Sequence, residues 1–239
     1  MLNAANWTAR LNELACPCLH RRAPARLVLV GPAVFTGAWI VSSLLQTGHR
    51  AVNLQISGLA APDARDPWIM IAGFLVLGGC CVTFGAELLD ALGGSDHAGP
   101  APRLIQGAGV LTIAAGLLRR DHMLLSSGSV SWHNHAHDVI SALIYVDLVL
   151  AQLLLAARFG RDRDWRAWRP WLLASAGVTT VLLIAFAAGT SAPGAGFLQR
   201  AAVTIPLAAI TAVATRLSRS PARLAGNRRR LVKTPGTGG

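Results

Sequence analysis

Residues 68–92, WIMIAGFLVLGGCCVTFGAELLDAL, decide the fold. The first charged residue in this stretch is Glu87, so an uninterrupted apolar run precedes it. A helix of about 20 such residues spans the hydrocarbon core of a bilayer. The stretch therefore predicts a transmembrane helix.

Five further apolar runs accompany it, at residues 27–45, 104–118, 139–157, 171–189 and 197–215. The run at 104–118 is short and rich in glycine, and small residues let transmembrane helices approach closely. The whole chain is 53% hydrophobic and 14% charged, whereas soluble domains carry about 25% charged residues. We predict an all-α, polytopic bundle of six transmembrane spans over 27–217, with an N-terminal segment 1–26 and a tail 218–239.

Basic residues lie mainly in the connections on one side of these six spans. If the N-terminus is cytoplasmic, that side holds 17 of the 22 basic residues. The other side holds the remaining five, which are Arg50, Arg65, Arg119, Arg120 and Arg200. Because cytoplasmic loops carry the excess of Lys and Arg, we predict that both ends are cytoplasmic.

The formal net charge of +11 has two explanations, binding to nucleic acid or to anionic lipid. The basic residues flank apolar runs, so we expect membrane lipids as partners and no nucleic acid. The tail 218–239 is predicted to be disordered and to rest on the anionic inner leaflet. Arginine supplies 21 of the 22 basic residues, which is typical of a GC-rich bacterial genome and predicts the bacterial cytoplasmic membrane. The sequence gives no indication of oligomeric state.

Four of the seven histidines lie in the predicted external loop after the third span. If the fourth helix begins early, His133 and His137 share a face at positions i and i+4, with Asp121 as a third ligand. If the segment is extended, His133, His135 and His137 share a side instead. Either set suits zinc. The alternatives are a wet interfacial loop whose histidines cap a helix and solvate headgroups, or a loop that responds to pH.

Asp147 is the candidate for chemistry inside the membrane. It lies ten residues beyond His137, so about 15 Å deeper along a helix and near the bilayer centre. Ionisable groups at that depth usually face the bundle interior or a water cavity. It is either a proton or cation site, or a neutral or hydrogen-bonded acid that ties helices together. Ser141, Tyr145 and Gln152 form a polar stripe on the same helix, which we expect to be a seam between helices.

Three motifs carry a resemblance to a known family. Residues 53–59, NLQISGL, form a short polar loop after the first span, and Asp121 follows the third. SWH at 131–133 and HD at 137–138 open the fourth span, and the basic segment 161–165 follows that span. Over roughly 27–217 the chain resembles the bacterial six-pass membrane proteins grouped as domain of unknown function 998. The resemblance implies six spans, with His137 and Asp121 as counterparts of the family histidine and acid, and leaves the biochemistry open.

The sequence contains no phosphate loop, dinucleotide fingerprint or nucleophile elbow, which argues against the functions that these motifs serve. Two hypotheses about function remain. The first is a non-enzymatic membrane protein with an external polar site, either a small transporter or an envelope-stress component. The second is a metal-dependent hydrolase in which Asp121, His133 and His137 hold zinc, and a bound water attacks a lipid ester or amide. The sequence favours the first.

Overall fold

The computed structural model describes residues 23–48, 50–92, 99–124, 130–190 and 192–219. Nearly all of segment 1–26 and of tail 218–239 lies outside them, so those two predictions are not addressed. The described part is all-helical, as predicted, and contains no strand. Its helices are α1 Ala23–Leu45, α2 Pro67–Ala91, α3 Ala101–Leu117, α4 Trp132–Phe159, α5 Arg169–Ala188 and α6 Ala195–Arg219, with short 3-10 helices at Ser57–Ala60 and Arg166–Trp168.

Four of these helices, α2, α4, α5 and α6, are long and apolar enough to cross a membrane. The prediction of a multi-pass membrane protein is confirmed at this level. α3 has only 17 residues, which gives it a length of about 25 Å. The side chains of α1 are described from Leu29 onwards, and Leu29–Leu45 is a shorter apolar helix than the four above.

α4 begins seven residues earlier than the predicted start at 139, because its N-terminus has a polar cap. The side chain of Ser131 accepts a hydrogen bond from the backbone N–H of Asn134, which satisfies one of the unpaired donors of the first turn. Exposed tryptophans stand in the first turn of three helices, as expected for rings at a membrane interface. They are Trp68, Trp132 and Trp171.

The order of the helices in the chain is also their order around the bundle. Each helix packs against the next, and α6 closes the ring against α1. Successive helices run in opposite directions, so the connections gather at two ends. We call these ends the odd-loop pole, which contains the described residues of connections 46–66, 118–131 and 189–194, and the even-loop pole, which contains the described residues of connections 92–100 and 160–168.

At each pole, hydrogen bonds join parts of the chain that are distant in sequence. At the odd-loop pole, the N–H of Met123 donates to Asp63 Oδ1 at 2.7 Å. At the even-loop pole, Arg158 donates to the carbonyl oxygen of Leu92 at 3.0 Å. The guanidinium of Arg216, near the end of α6, lies over aromatic rings of the fourth connection.

Glycines bring the backbones of α2 and α3 into direct contact. A Cβ added to Gly78 would lie 2.5 Å from the carbonyl oxygen of Gly109, and one on Gly109 would lie 2.6 Å from that of Gly78. A Cβ on Gly116 would lie 2.7 Å from Phe74 Cβ. Gly79, the neighbour of Gly78, instead faces open space.

Substituting alanine for each of these neighbouring glycines tests the α2–α3 contact. Gly78→Ala should lower the free energy of unfolding by about 1–3 kcal/mol, because the new methyl group meets backbone rather than a mobile side chain. Gly79→Ala should leave it unchanged or raise it by up to about 1 kcal/mol, since alanine is the better helix former. Unfolding of the detergent-purified protein measures both. Equal losses in the two variants would contradict the close contact.

Candidate functional site

The first connection enters the ring instead of staying on the surface. Residues 55–61 are buried at the odd-loop pole, and Ser57–Ala60 form a 3-10 helix there. We call residues 50–61 the plug. The backbone N–H of Ile56 donates to Gln199 Oε1 of α6 at 2.6 Å. A Cβ on Gly58 would collide with the carbonyl of Met123, so the third connection lies directly against the plug.

Arg200 of α6 holds the plug from the side. Its Nη1 donates to the carbonyl oxygens of Ala51 and Leu54, the second at 2.7 Å. Its guanidinium carbon lies 5.0 Å from the centroid of the Trp39 ring. The charge count placed Arg200 among residues of the outer loops, but it is buried within the bundle. There a planar cation with five donors satisfies carbonyls that no helix satisfies.

Arg120 holds the plug from the third connection and is also buried. It donates from Nη1 to Gln55 Oε1 and from Nε to Asn134 Oδ1, the second at 3.4 Å. Asp138 Oδ1 lies 3.9 Å from the same Nε. Among the described residues, none accepts a hydrogen bond from Nη2. As far as the described residues show, one terminal nitrogen of this buried cation has room for a further acceptor.

Asp121 organises the start of α4. Its carboxylate accepts hydrogen bonds from the hydroxyl and from the backbone N–H of Ser131, the latter at 2.7 Å. Both hydrogen bonds favour the charged form of Asp121 and hold the pKa of its carboxyl below the usual range. The bond from the Ser131 hydroxyl contributes more than the bond from the backbone N–H. Because Ser131 in turn caps α4, the acid that the resemblance singles out orders the entry into this helix.

His137 is buried between α3 and α4, with 1% of its surface exposed. Its Nδ1 lies 3.0 Å from the carbonyl oxygen of Ala115 and 2.7 Å from that of Leu118, at the end of α3. Carbonyl oxygens only accept, so Nδ1 carries the proton and donates to them. The histidine that the resemblance singles out thus satisfies carbonyls that the end of α3 leaves open.

The three predicted zinc ligands are not assembled into a site. His133 lies on the early-starting helix, as one alternative supposed, but it is exposed and stacks on the ring of Trp132. His137 is occupied by α3 and Asp121 by the start of α4. No three His, Cys, Asp or Glu side chains of the described residues are grouped to hold a metal ion. Zinc binding by this set stays a prediction without support from the geometry.

A cavity of about 730 Å³ lies between α4, α5 and α6, beside the plug. Its end at the odd-loop pole is polar and is lined by Gln55, Arg120, Asn134, His135 and Asp138. Its body is mostly apolar and is lined by Val146, Val149, Leu150, Leu183, Phe186 and Ala187. A polar head and an apolar body in one continuous space match the shape of an amphiphile.

The polar stripe of α4 is only partly the seam that we predicted. Gln152 is fully buried and donates to the carbonyl oxygen of Leu148 on its own helix. Ser141 and Tyr145 instead line the large cavity and a smaller space of about 60 Å³ beside it. The stripe therefore runs from the cavity wall into the packed interior.

Asp147 does not line the cavity and faces α3 instead. Its Oδ2 lies 3.0 Å from the position that a Cβ on Gly107 would occupy, so this glycine leaves room for the carboxylate. In the described part of the chain, no side chain or backbone group forms a hydrogen bond or ion pair with Asp147. Both explanations of this acid stay open.

Sequence reasoning missed the residues that connect the plug to the cavity, namely Gln55, Arg120, Asn134 and Gln199. Two signals were available. Gln199 and Arg200 are adjacent polar residues within an apolar run, and such residues usually face the bundle interior. Arg120 directly precedes the Asp121 that the motif comparison had already selected.

A family profile described as "Protein of unknown function (DUF998)" matches residues 29–216. The chain belongs to this family. The matched range includes the plug and every residue that lines the cavity. No curated protein and no solved structure matches the chain. Family membership thus confirms the resemblance without supplying an activity, and the geometry has to carry the functional argument.

Two histidine variants test the role of His137. His137→Ala should lower the free energy of unfolding by about 1–3 kcal/mol, because it leaves buried carbonyls at the end of α3 unpaired. His133→Ala should change it by less than about 0.5 kcal/mol, since that ring is exposed. Thermal unfolding with and without a chelator measures both. A similar loss in the two variants, reproduced by the chelator, would favour a shared metal instead.

Proposed function

We propose that the chain is a six-span protein of a bacterial cytoplasmic membrane, with both ends in the cytoplasm. The alternation of connections between two poles supports six spans, because α1 and α3 must then cross the bilayer alongside α2. The positive-inside rule supports the orientation, since 17 of the 22 basic residues then lie on the cytoplasmic side. The odd-loop pole faces outward, and the basic tail 218–239, nearly all of which lies beyond the described residues, meets anionic lipid.

Single cysteines in a cysteine-free background test this topology. Val52→Cys, on the exposed part of the first connection, should react with a membrane-impermeant maleimide added to intact cells. Asp162→Cys, in the exposed fourth connection, should react only after the membrane is opened. The opposite pattern would reverse the orientation, and labelling of both from one side would refute the six-span arrangement.

Within this topology, the chain is a small transporter that binds an amphiphile from the outer side of the membrane. This binding is the first step of transport. The cavity between α4, α5 and α6 is the observation that carries this proposal. Its volume of about 730 Å³ lies in the range of about 300–1,000 Å³ found for ligand sites. Its polar end faces the outer surface, and its apolar body extends towards the bilayer centre.

The other half of the bundle supports an outward-open arrangement. Large side chains fill the interior near the even-loop pole, and each is at most 1% exposed: Leu88, Ile105, Leu155, Phe159 and Leu172. Among the described residues, such close packing opposes the passage of a ligand towards the cytoplasm. Access from one side only is what one state of an alternating transporter requires.

The two remaining hypotheses gain no comparable support. A hydrolase needs a bound nucleophile next to a substrate, and Asp121, His133 and His137 serve other contacts. Nothing about the described contacts points specifically to a role in envelope stress. Binding of an amphiphile is therefore the function that the geometry supports best.

Filling the cavity tests the proposal. Ala142 lines the cavity, so a tryptophan there would occupy the space of the ligand. The delipidated protein is incubated with a bacterial polar lipid extract, and Ala142→Trp should reduce the amount of phospholipid that it retains by about tenfold or more. Native mass spectrometry measures the retained lipid. In reconstituted vesicles, the same variant should abolish movement of an acyl-labelled phospholipid between leaflets.

Ala174→Trp is the matched control, because Ala174 is exposed on α5 and does not line the cavity. Equal lipid retention in the two variants would overturn the proposal. Asp147→Asn separates transport from binding, since it should stop movement of the labelled lipid if this acid couples transport to a proton or cation. Lipid retention should persist in that variant.

A further inference from the structure

The geometry points to a ligand class: we propose that the cavity takes a zwitterionic phospholipid, with a phosphodiester and an ammonium group in its head. An acyl chain of this lipid lies in the groove between α4 and α5. The inference rests on the proposed binding function and adds the chemistry of the ligand.

The length of the cavity fits one leaflet. Asp138, at the polar end, and Leu150, at the apolar end, are 12 residues apart on α4. This separation corresponds to about 18 Å along a helix, whereas half of the hydrocarbon core is about 15 Å. The cavity therefore runs from the level of the headgroups to about the bilayer centre, as a lipid of the outer leaflet does.

The wall of the cavity is open towards the side of the bundle. Val146 and Leu150 of α4 line the apolar body and are 50% and 43% exposed. Ala187 of α5 lines it too and is also exposed. Because these side chains border the membrane, an acyl chain can enter from the bilayer without crossing water.

Two opposite charges define the polar end. Among the described residues that line the cavity, Arg120 is the only Lys or Arg, and Asp138 is the only Asp or Glu. The Arg120 side chain is 9% exposed and is held by Gln55 and Asn134, whereas the Asp138 side chain is 53% exposed. The cation therefore stands inside the cavity and the carboxylate at its mouth.

This arrangement selects a headgroup that carries both charges. The two side chains meet through a single long contact of 3.9 Å between Arg120 Nε and Asp138 Oδ1. The Nη2 of Arg120, which donates to no described residue, can donate to a phosphate oxygen, which guanidinium groups bind well. The ammonium group can then pair with Asp138. An anionic headgroup without an ammonium brings no cation to the Asp138 carboxylate. Its negative charge would lie near that carboxylate, and like charges disfavour such a complex.

The test measures binding to the full-length, delipidated protein by native mass spectrometry. Phosphatidylethanolamine should bind about tenfold more tightly than phosphatidylglycerol, which has the same phosphodiester but no ammonium. Glycerophosphoethanolamine, the same headgroup without acyl chains, should bind far more weakly than the lipid. If it binds as tightly, the ligand is a soluble zwitterion and the lipid assignment is wrong.

Charge variants test the two side chains. Asp138→Asn should reduce or reverse the preference for phosphatidylethanolamine, because the carboxylate that repels phosphatidylglycerol is gone. Arg120→Gln should weaken both lipids. Arg65→Gln is the control, since this exposed arginine of the odd-loop pole lies outside the cavity. It should leave both affinities unchanged.

The possible failures are distinguishable. Equal binding of the two lipids to the native protein, or an unchanged preference in Asp138→Asn, would overturn the headgroup assignment. The proposed binding function would survive that result if Ala142→Trp still removed the bound lipid. Full phosphatidylethanolamine binding by Ala142→Trp would refute the cavity as the binding site and the assignment with it.

Discussion

The fold depends on one constraint: polar backbone groups enclosed by an apolar ring need hydrogen-bond partners. Helices satisfy their own groups, but much of the plug is irregular and cannot. Gln199 and Arg200, neighbours on α6, supply the missing partners by accepting from Ile56 and donating to the plug carbonyls. Without them, buried donors and acceptors would stay unpaired, at a cost of about 1–3 kcal/mol each. The place of α6 in the ring and the buried position of the plug therefore depend on each other.

The same solution produces the polar end of the cavity. Gln55 belongs to the plug and accepts a hydrogen bond from Arg120, so the plug fixes the position of that guanidinium. Asn134, in the first turn of α4, also contacts Arg120 and donates to Asp138 at 3.0 Å. A contact network that buries one connection thereby places a cation inside a mostly apolar cavity. The charged site follows from the packing of the plug and requires no separate element.

The parts of this protein that local sequence encodes could be predicted, and the parts that need distant contacts could not. Apolar runs are local signals, and they identified the helices, whereas the glycine-rich run at 104–118 indicated only that a close contact with some other helix was possible. Burial of the plug depends on Arg200, about 150 positions further along the chain, so the motif at 53–59 resembled an ordinary loop. Residue type and spacing suggested that the histidines bind a metal, although His137 is used by the end of α3. Arg120 was counted only as a loop charge, because the cavity that gives it a role is assembled from five separate segments of the chain.

The two sides of the ring differ in how far they can move. α2 and α3 touch backbone to backbone, so any displacement between them breaks contacts that no side chain can replace. The cavity lies between the part of α4 from Asn134 to Leu150 and the part of α5 from Thr180 to Ala187, and its volume has to change if a ligand passes through. Pro206 interrupts the hydrogen-bond ladder of α6 at mid-helix, where a bend meets least resistance. In the proposed transport cycle, α5 and the part of α6 before Pro206 would move against α2 and α3. Since Gln199 and Arg200 lie on that part of α6, such a movement would also pull on the plug, which links emptying of the cavity to the contact that holds the fold together.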